Sequence, residues 1–136
     1  MAEFTRKEII MLINGGDKIR LAGVDMSNEN LSRLDFEGAN LRGAIFQETN
    51  LQEGILRGTN MTGVNMVGTK AAYADFANAT LTGANMTLAS LQGARLTGAV
   101  LTNANLNGAN LQGANLKGAK VDGVKFDAGT TWPDGK

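Results

Sequence analysis

An apolar residue recurs at every fifth position from Leu21 to Phe126, and this period constrains the fold more tightly than any other feature. The series runs without a slip through Met26, Phe36, Phe46, Ala71 and Val121, and all 22 members are apolar. Two residues before each central residue sits a mostly small one, such as Ala39, Ala74 or Ala119. One residue before is often Asn or Asp, and two residues after is Gly in 13 of the 22 repeats. An α-helix repeats every 3.6 residues and a strand every 2, so neither accommodates a strict period of five. Two inward residues in five predict a corner at every repeat. The order Leu–x–Gly–Ala fits a β-turn with Gly in third place, where a type II turn needs φ > 0. Where that place holds Arg33, Glu48, Glu53, Tyr73 or Leu88, a different turn type is expected. Four corners close a square coil of 20 residues, with large apolar side chains in its centre and small ones beside them.

Positions 20 apart should then stack, and the sequence agrees with such a register. Asp75 falls against Arg95, Glu37 against Arg57 and Arg33 against Glu53, each an opposite-charge pair. Leu34, a large residue at a small inward site, falls on Gly54. Asn65, Asn85 and Asn105 are expected to form a side-chain ladder, as are Asn30 with Asn50 and Asn40 with Asn60.

Runs such as Ala104-Asn105-Leu106-Asn107-Gly108 and Ala109-Asn110-Leu111-Gln112-Gly113 resemble the A(D/N)LxG units of the pentapeptide-repeat family. The resemblance covers roughly residues 19–128, and the ending Thr131-Trp132-Pro133-Asp134-Gly135 looks most like cyanobacterial members. It implies an all-β fold, a right-handed quadrilateral β-helix; the handedness comes from the family alone. Twenty-two repeats make about five and a half coils, a rod roughly 26 Å long at ~4.8 Å per coil.

An open solenoid exposes strand edges and apolar core at its ends, so caps are expected. Thr5-Arg6-Lys7-Glu8 reads as a capping box, with Phe4 and Ile9 at the staple positions. It predicts a short helix over about 6–13, ended by Asn14-Gly15-Gly16 and laid over the first coil. Three segments follow: a capping helix and turn at 1–18, the solenoid at 19–128, and a tail at 129–136. Trp132 is expected to fold over the last coil near Phe126.

The sequence has no Cys and no His, so thiolate nucleophiles, imidazole bases and the usual zinc and iron sites are excluded, and no cofactor or metal is expected. The remaining carboxylates fall mostly at outward positions of a convex rod, which offers no pocket to desolvate them. Catalysis is therefore not expected. Glu29 occupies a nominally inward site and is expected to meet the helix cap or the coil end. Ala71 replaces a large central residue, which reads as a packing adjustment. Ile45, Ile55 and Val100 stand where polar residues are usual and, with the outward Tyr73, are the candidates for an interaction surface. The residues from Met1 to Glu8 do not read as a signal peptide, and no apolar stretch approaches the ~20 residues of a membrane span. A cytoplasmic monomer is expected.

The function expected is a non-catalytic structural or protein-interaction module whose partner the sequence does not name. The alternative, implied by the family, is a DNA mimic that modulates a type II topoisomerase such as gyrase. Mimicry asks for a strongly negative surface. The repeat region instead carries nine basic and nine acidic residues, and the whole chain has 13 of each. That balance gives no reason to expect nucleic acid or membrane as a partner.

Overall fold

The computed structural model describes residues 2–16 and 18–136; Met1 and Asp17, both in the expected N-terminal segment, lie outside the described residues. Helix α1 spans Arg6–Ile13. Thr5 is its N-cap: the Thr5 hydroxyl accepts from the Glu8 amide at 3.3 Å, and the Glu8 carboxylate accepts from the Thr5 amide at 3.0 Å. Ile9 is fully buried, and Phe4 and Ile13 pack on the same core, so the helix closes the apolar interior at that end. Arg6, rather than Glu29, links the helix to the coil beneath. Its guanidinium donates to the Asn30 and Ser32 carbonyls at 2.9 and 3.0 Å. Glu29 is half-buried and its amide closes a turn onto Met26 at 3.4 Å.

From Arg20 onward the chain winds so that each repeat pairs in parallel with the one 20 residues later, from Arg20↔Asn40 to Asn105↔Lys125. The bridges come singly. Four of every five residues belong to a turn, so among the described residues no run lengthens into a strand. The coil is laced by isolated parallel bridges.

An account of the backbone amides explains the repeat. In the unit around Leu41, the Leu41 amide donates to Asn60 O (2.8 Å) and the Gly43 amide to Thr62 O (2.9 Å), both one coil on. The Asn40 amide donates back to Ile19 O (2.9 Å), and the Ala44 amide closes the turn onto Leu41 O (3.0 Å). One amide remains, that of Arg42, and the Asn40 side-chain oxygen accepts it at 3.2 Å. A backbone donor left unpaired is costly where water is excluded, and this unit leaves none. The Asn and Asp residues therefore serve their own turns, as short polar side chains do when they can reach an amide two residues on. Asn65, Asn85 and Asn105 accept from Val67, Thr87 and Asn107, and so do Asn30, Asn50 and Asn60 within their own turns. The expected ladders along the stack are thus replaced by local bonds. At Asp25 the hydrogen bonds from the Ser27 side chain and amide hold the carboxyl below the ordinary aspartate value.

The third turn position is left-handed from Gly23 to Gly123. The 13 repeat glycines there have φ between 63° and 74°. Asn28, Arg33, Glu48, Glu53, Tyr73, Asn78, Leu88 and Asn103 have φ between 57° and 63°. Arg33, Glu48, Glu53, Tyr73 and Leu88, where a different turn type is expected, share the positive φ of the glycines. Pairing with the coils above and below fixes the path, and the side chains accept the left-handed conformation.

The core is a column of central side chains with small residues beside them. Phe36, Phe46, Phe76 and their aliphatic neighbours are fully buried. Ala71 is also fully buried, in the same coil as Phe76. Thr49 and Thr69, at small inward sites, spend their hydroxyls on the Met26 and Phe46 carbonyls at 2.7 and 2.6 Å. On Gly54, beneath Leu34, an added Cβ would stand 3.0 Å from the Leu51 carbonyl oxygen.

The register slips once, near the C-terminal end, where Asn110 pairs with Thr131, 21 residues on. The Thr130 amide closes a turn onto Asp127 O (3.1 Å), and Thr130 enters the inward site and donates to Leu106 O (2.8 Å). Trp132 meets Phe126 edge-on, 5.4 Å between ring centroids. It packs against the end of the core, as expected, while Phe126 stays 60% and Val121 43% exposed.

Candidate interaction surface

Four outward columns follow from the bridge pairing. The first face runs Asn40–Asn60–Thr80–Val100, the second Ile45–Asn65–Asn85–Asn105, the third Asn50–Lys70–Ser90–Asn110 and the fourth Ile55–Asp75–Arg95–Asn115. Val100, Ile45 and Ile55 therefore lie on three different faces, each half-buried in its column. Tyr73 stands at the corner between the third and fourth faces. The structure does not gather these four residues into one patch.

Charge collects on the fourth face. Arg57 and Arg95 approach Asp75 at 3.6 and 3.9 Å, while Arg33 meets Glu53 at 3.5 Å along the adjoining corner. Two of the three pairs expected from stacking are thus present. In place of the third, Arg57 turns from Glu37 to Asp75, where a second guanidinium shares the carboxylate. Exposed pairs of this kind contribute ~0–1 kcal/mol each.

The corners supply the other surface feature. Three bulky left-handed residues lean over a glycine one coil later. Glu48 covers Gly68, Tyr73 covers Gly93 and Leu88 covers Gly108; a Cβ on any of these glycines would collide with the side chain above it. Tyr73 and Leu88 are each 65% exposed. A left-handed conformation costs a residue with a Cβ about 1–2 kcal/mol, and a bulky one there is an outlier. Neither side chain recovers that cost in the core. The sequence reading names Tyr73 for the surface but not Leu88; the signal for both is a large apolar residue in the glycine place.

A turn every five residues, a ladder at a spacing of 20 and an unbroken apolar centre are the marks of one repeat family, and the pentapeptide-repeat profile matches residues 19–58, 56–87 and 89–127 in eight copies. The chain belongs to the pentapeptide-repeat family. The solved pentapeptide-repeat protein Rfr23 from the cyanobacterium Cyanothece 51142 is similar, with 28% identity over 93% of this chain and 97% of that one, and a TM-score of 0.85. A pentapeptide-repeat protein of the Arabidopsis thaliana thylakoid lumen shares 29% identity over 77% of this chain and 73% of that one, with a TM-score of 0.74. Comparison with curated proteins finds no match. Pentapeptide-repeat proteins are in general structural repeat proteins rather than enzymes.

Proposed function

We propose that this pentapeptide-repeat chain is a non-catalytic protein-interaction module, a right-handed four-sided rod that presents side chains at fixed heights to a protein partner. The hand and the four-sided section rest on the likeness to Rfr23 and on four turns per 20 residues. The observation that carries the functional reading is the pair Tyr73 and Leu88. Both are large, apolar and 65% exposed at positions where glycine would avoid the strain. Backbone strain kept at an exposed site is a pointer to function, and exposed aromatic anchors are typical of interface centres.

Affinity capture with the purified chain, beside its Tyr73→Gly/Leu88→Gly double variant, tests this. The expected result is a stoichiometric protein retained by the wild type and lost from a folded variant. Retention of nothing by the wild type would defeat the reading. Duplex mimicry, with nine basic and nine acidic residues in the repeat region, has no charge observation in its favour. Stoichiometric inhibition of gyrase supercoiling by this chain would nevertheless establish it.

A further inference from the structure

We propose that the corner between the fourth and first faces, at Arg95, Thr97 and Lys117, is a binding site for a carboxylate borne by a protein segment. This rests on the interaction-module reading and names a site and the chemistry of its partner.

The site is a turn that lacks one oxygen. In the turns at Asn60 and Asn85, a single Asn oxygen accepts twice from the Thr two residues on. Asn60 Oδ1 takes the Thr62 amide at 3.2 Å and the Thr62 hydroxyl at 2.8 Å; Asn85 Oδ1 takes those of Thr87 at 3.2 and 2.6 Å. Thr97 holds the same place in its own turn, but the residue two before it is Arg95, whose side chain only donates. Among the described residues the Thr97 amide meets no acceptor, and the Thr97 hydroxyl is the one buried side-chain polar atom without a hydrogen-bond partner. A polar atom shielded from water in this way costs free energy that a partner restores. Other turns lack the Asn too, but no other sets a Thr hydroxyl beside a cation at the Asn place. Thr82 and Thr102 follow Thr80 and Val100, which bring no charge, and Ala72 follows Lys70 but brings no hydroxyl.

Charge points the same way. Asp75 Oδ2 is shared by Arg57 at 3.6 Å and Arg95 at 3.9 Å, and its Oδ1 accepts from the Ala77 amide at 3.0 Å. One carboxylate thus faces two guanidiniums and has no oxygen to spare. Lys117 adds a cation one coil on, where its carbonyl accepts from the Gly98 amide at 2.9 Å. It is exposed, and among the described residues no carboxylate lies within 4.0 Å of its ammonium. Below Thr97 the corner column runs through Ala77 and Arg57 and meets an acid only at Glu37, three coils away. A carboxylate fits this setting. One of its oxygens takes the place that Asn Oδ1 holds in other turns, and the second faces Arg95 and Lys117 in charge-assisted contact. A basic segment is repelled by the same side chains.

The test is an amide-shift titration of the whole chain with two blocked glycine pentapeptides, one carrying a central glutamate and the other a central glutamine. The glutamate peptide is expected to move the Thr97 amide most and to leave those of Ala72, Thr82 and Thr102 in place. It should bind roughly two- to tenfold more tightly than the glutamine peptide, the worth of one charge-assisted contact at an exposed site. Thr97→Val should weaken glutamate binding by about two- to tenfold, one hydrogen bond, without lowering Tm, since the hydroxyl has no partner to lose. Arg95→Asn returns the oxygen to the turn. It should raise Tm and abolish the preference for glutamate, whereas a purely structural role for Arg95 gives a lower Tm. Equal shifts at Thr97 and Thr102, no preference for glutamate, or binding unchanged in Arg95→Asn would overturn the site. Inorganic phosphate moving Thr97 where the glutamate peptide does not would overturn the choice of a carboxylate. Affinity capture separates the two readings. A partner retained equally by wild type and by Arg95→Asn/Lys117→Gln defeats the site and leaves the module reading standing. Glutamate binding at Thr97 with no protein captured does the reverse.

Discussion

At the third place of each turn, backbone preference and side-chain content oppose each other. The backbone asks for glycine, and eight positions refuse it. Tyr73→Gly should therefore leave stability unchanged or raise it by up to about 1 kcal/mol. Relief of ~1–2 kcal/mol of left-handed strain is partly offset by the ~0.5–1 kcal/mol entropic cost of glycine, and urea unfolding reads the difference. The place before each central residue follows the opposite logic, since Asn or Asp there satisfies the one amide the ladder leaves out. Val100 cannot do so, and among the described residues the Thr102 amide meets no acceptor. Val100→Asn should gain about 0.5 kcal/mol, one net hydrogen bond less some apolar contact, measured the same way. Asp25 makes this bond as a carboxylate with a depressed pKa, so its contribution is present above the ordinary aspartate value of 3.8 and is lost as pH falls through the lower folded value. Asp25→Asn should flatten the acid limb of the stability profile.

A single coil is the unit of packing, and its central residues share one fixed cross-section. The coil from Met61 to Thr80 holds Phe76 and compensates with Ala71; all its central side chains are fully buried. Ala71→Leu should overfill it and cost about 1–3 kcal/mol in thermal or chemical unfolding. Much at this scale was legible in the sequence. The period of five, the glycine place and the stacking interval all follow from side-chain size and turn chemistry, and so does the capping box at Thr5 and Glu8. Other features were not legible because they depend on competition between partners. Asn65 had two acceptable hydrogen-bonding fates, along the stack or within its own turn, and the nearer amide won. Arg57 had two carboxylates within reach and took Asp75, beside Arg95. The left-handed Arg33 and Glu53 followed a path imposed by neighbouring coils, which no local preference reveals. At the surface, Tyr73 and Leu88 were both legible by size, each a large residue in the glycine place.

Over the whole molecule, each coil touches only the coils before and after it, so stability is close to a sum over coils and their contacts. Removing residues 81–100 should leave a folded, shorter rod, because the pairing interval of 20 is preserved on both sides of the cut. Circular dichroism should keep its shape per residue, while Tm falls with the loss of one coil's contacts. A scrambled chain in place of a shortened one would show that coils are not interchangeable in this way. The single slip near Asp127 has a further consequence. Before it, the constant interval turns residue number into an address: the remainder on division by 20 names the side of the rod, and the quotient names the height. Remainder 13 collects Arg33, Glu53, Tyr73, Gly93 and Gly113 along one edge. After the slip every address moves by one, so Thr131, rather than residue 130, continues the line of Asn110. The sequence is thus its own map of the surface, and a chosen pattern of side chains can be written onto any side by arithmetic alone.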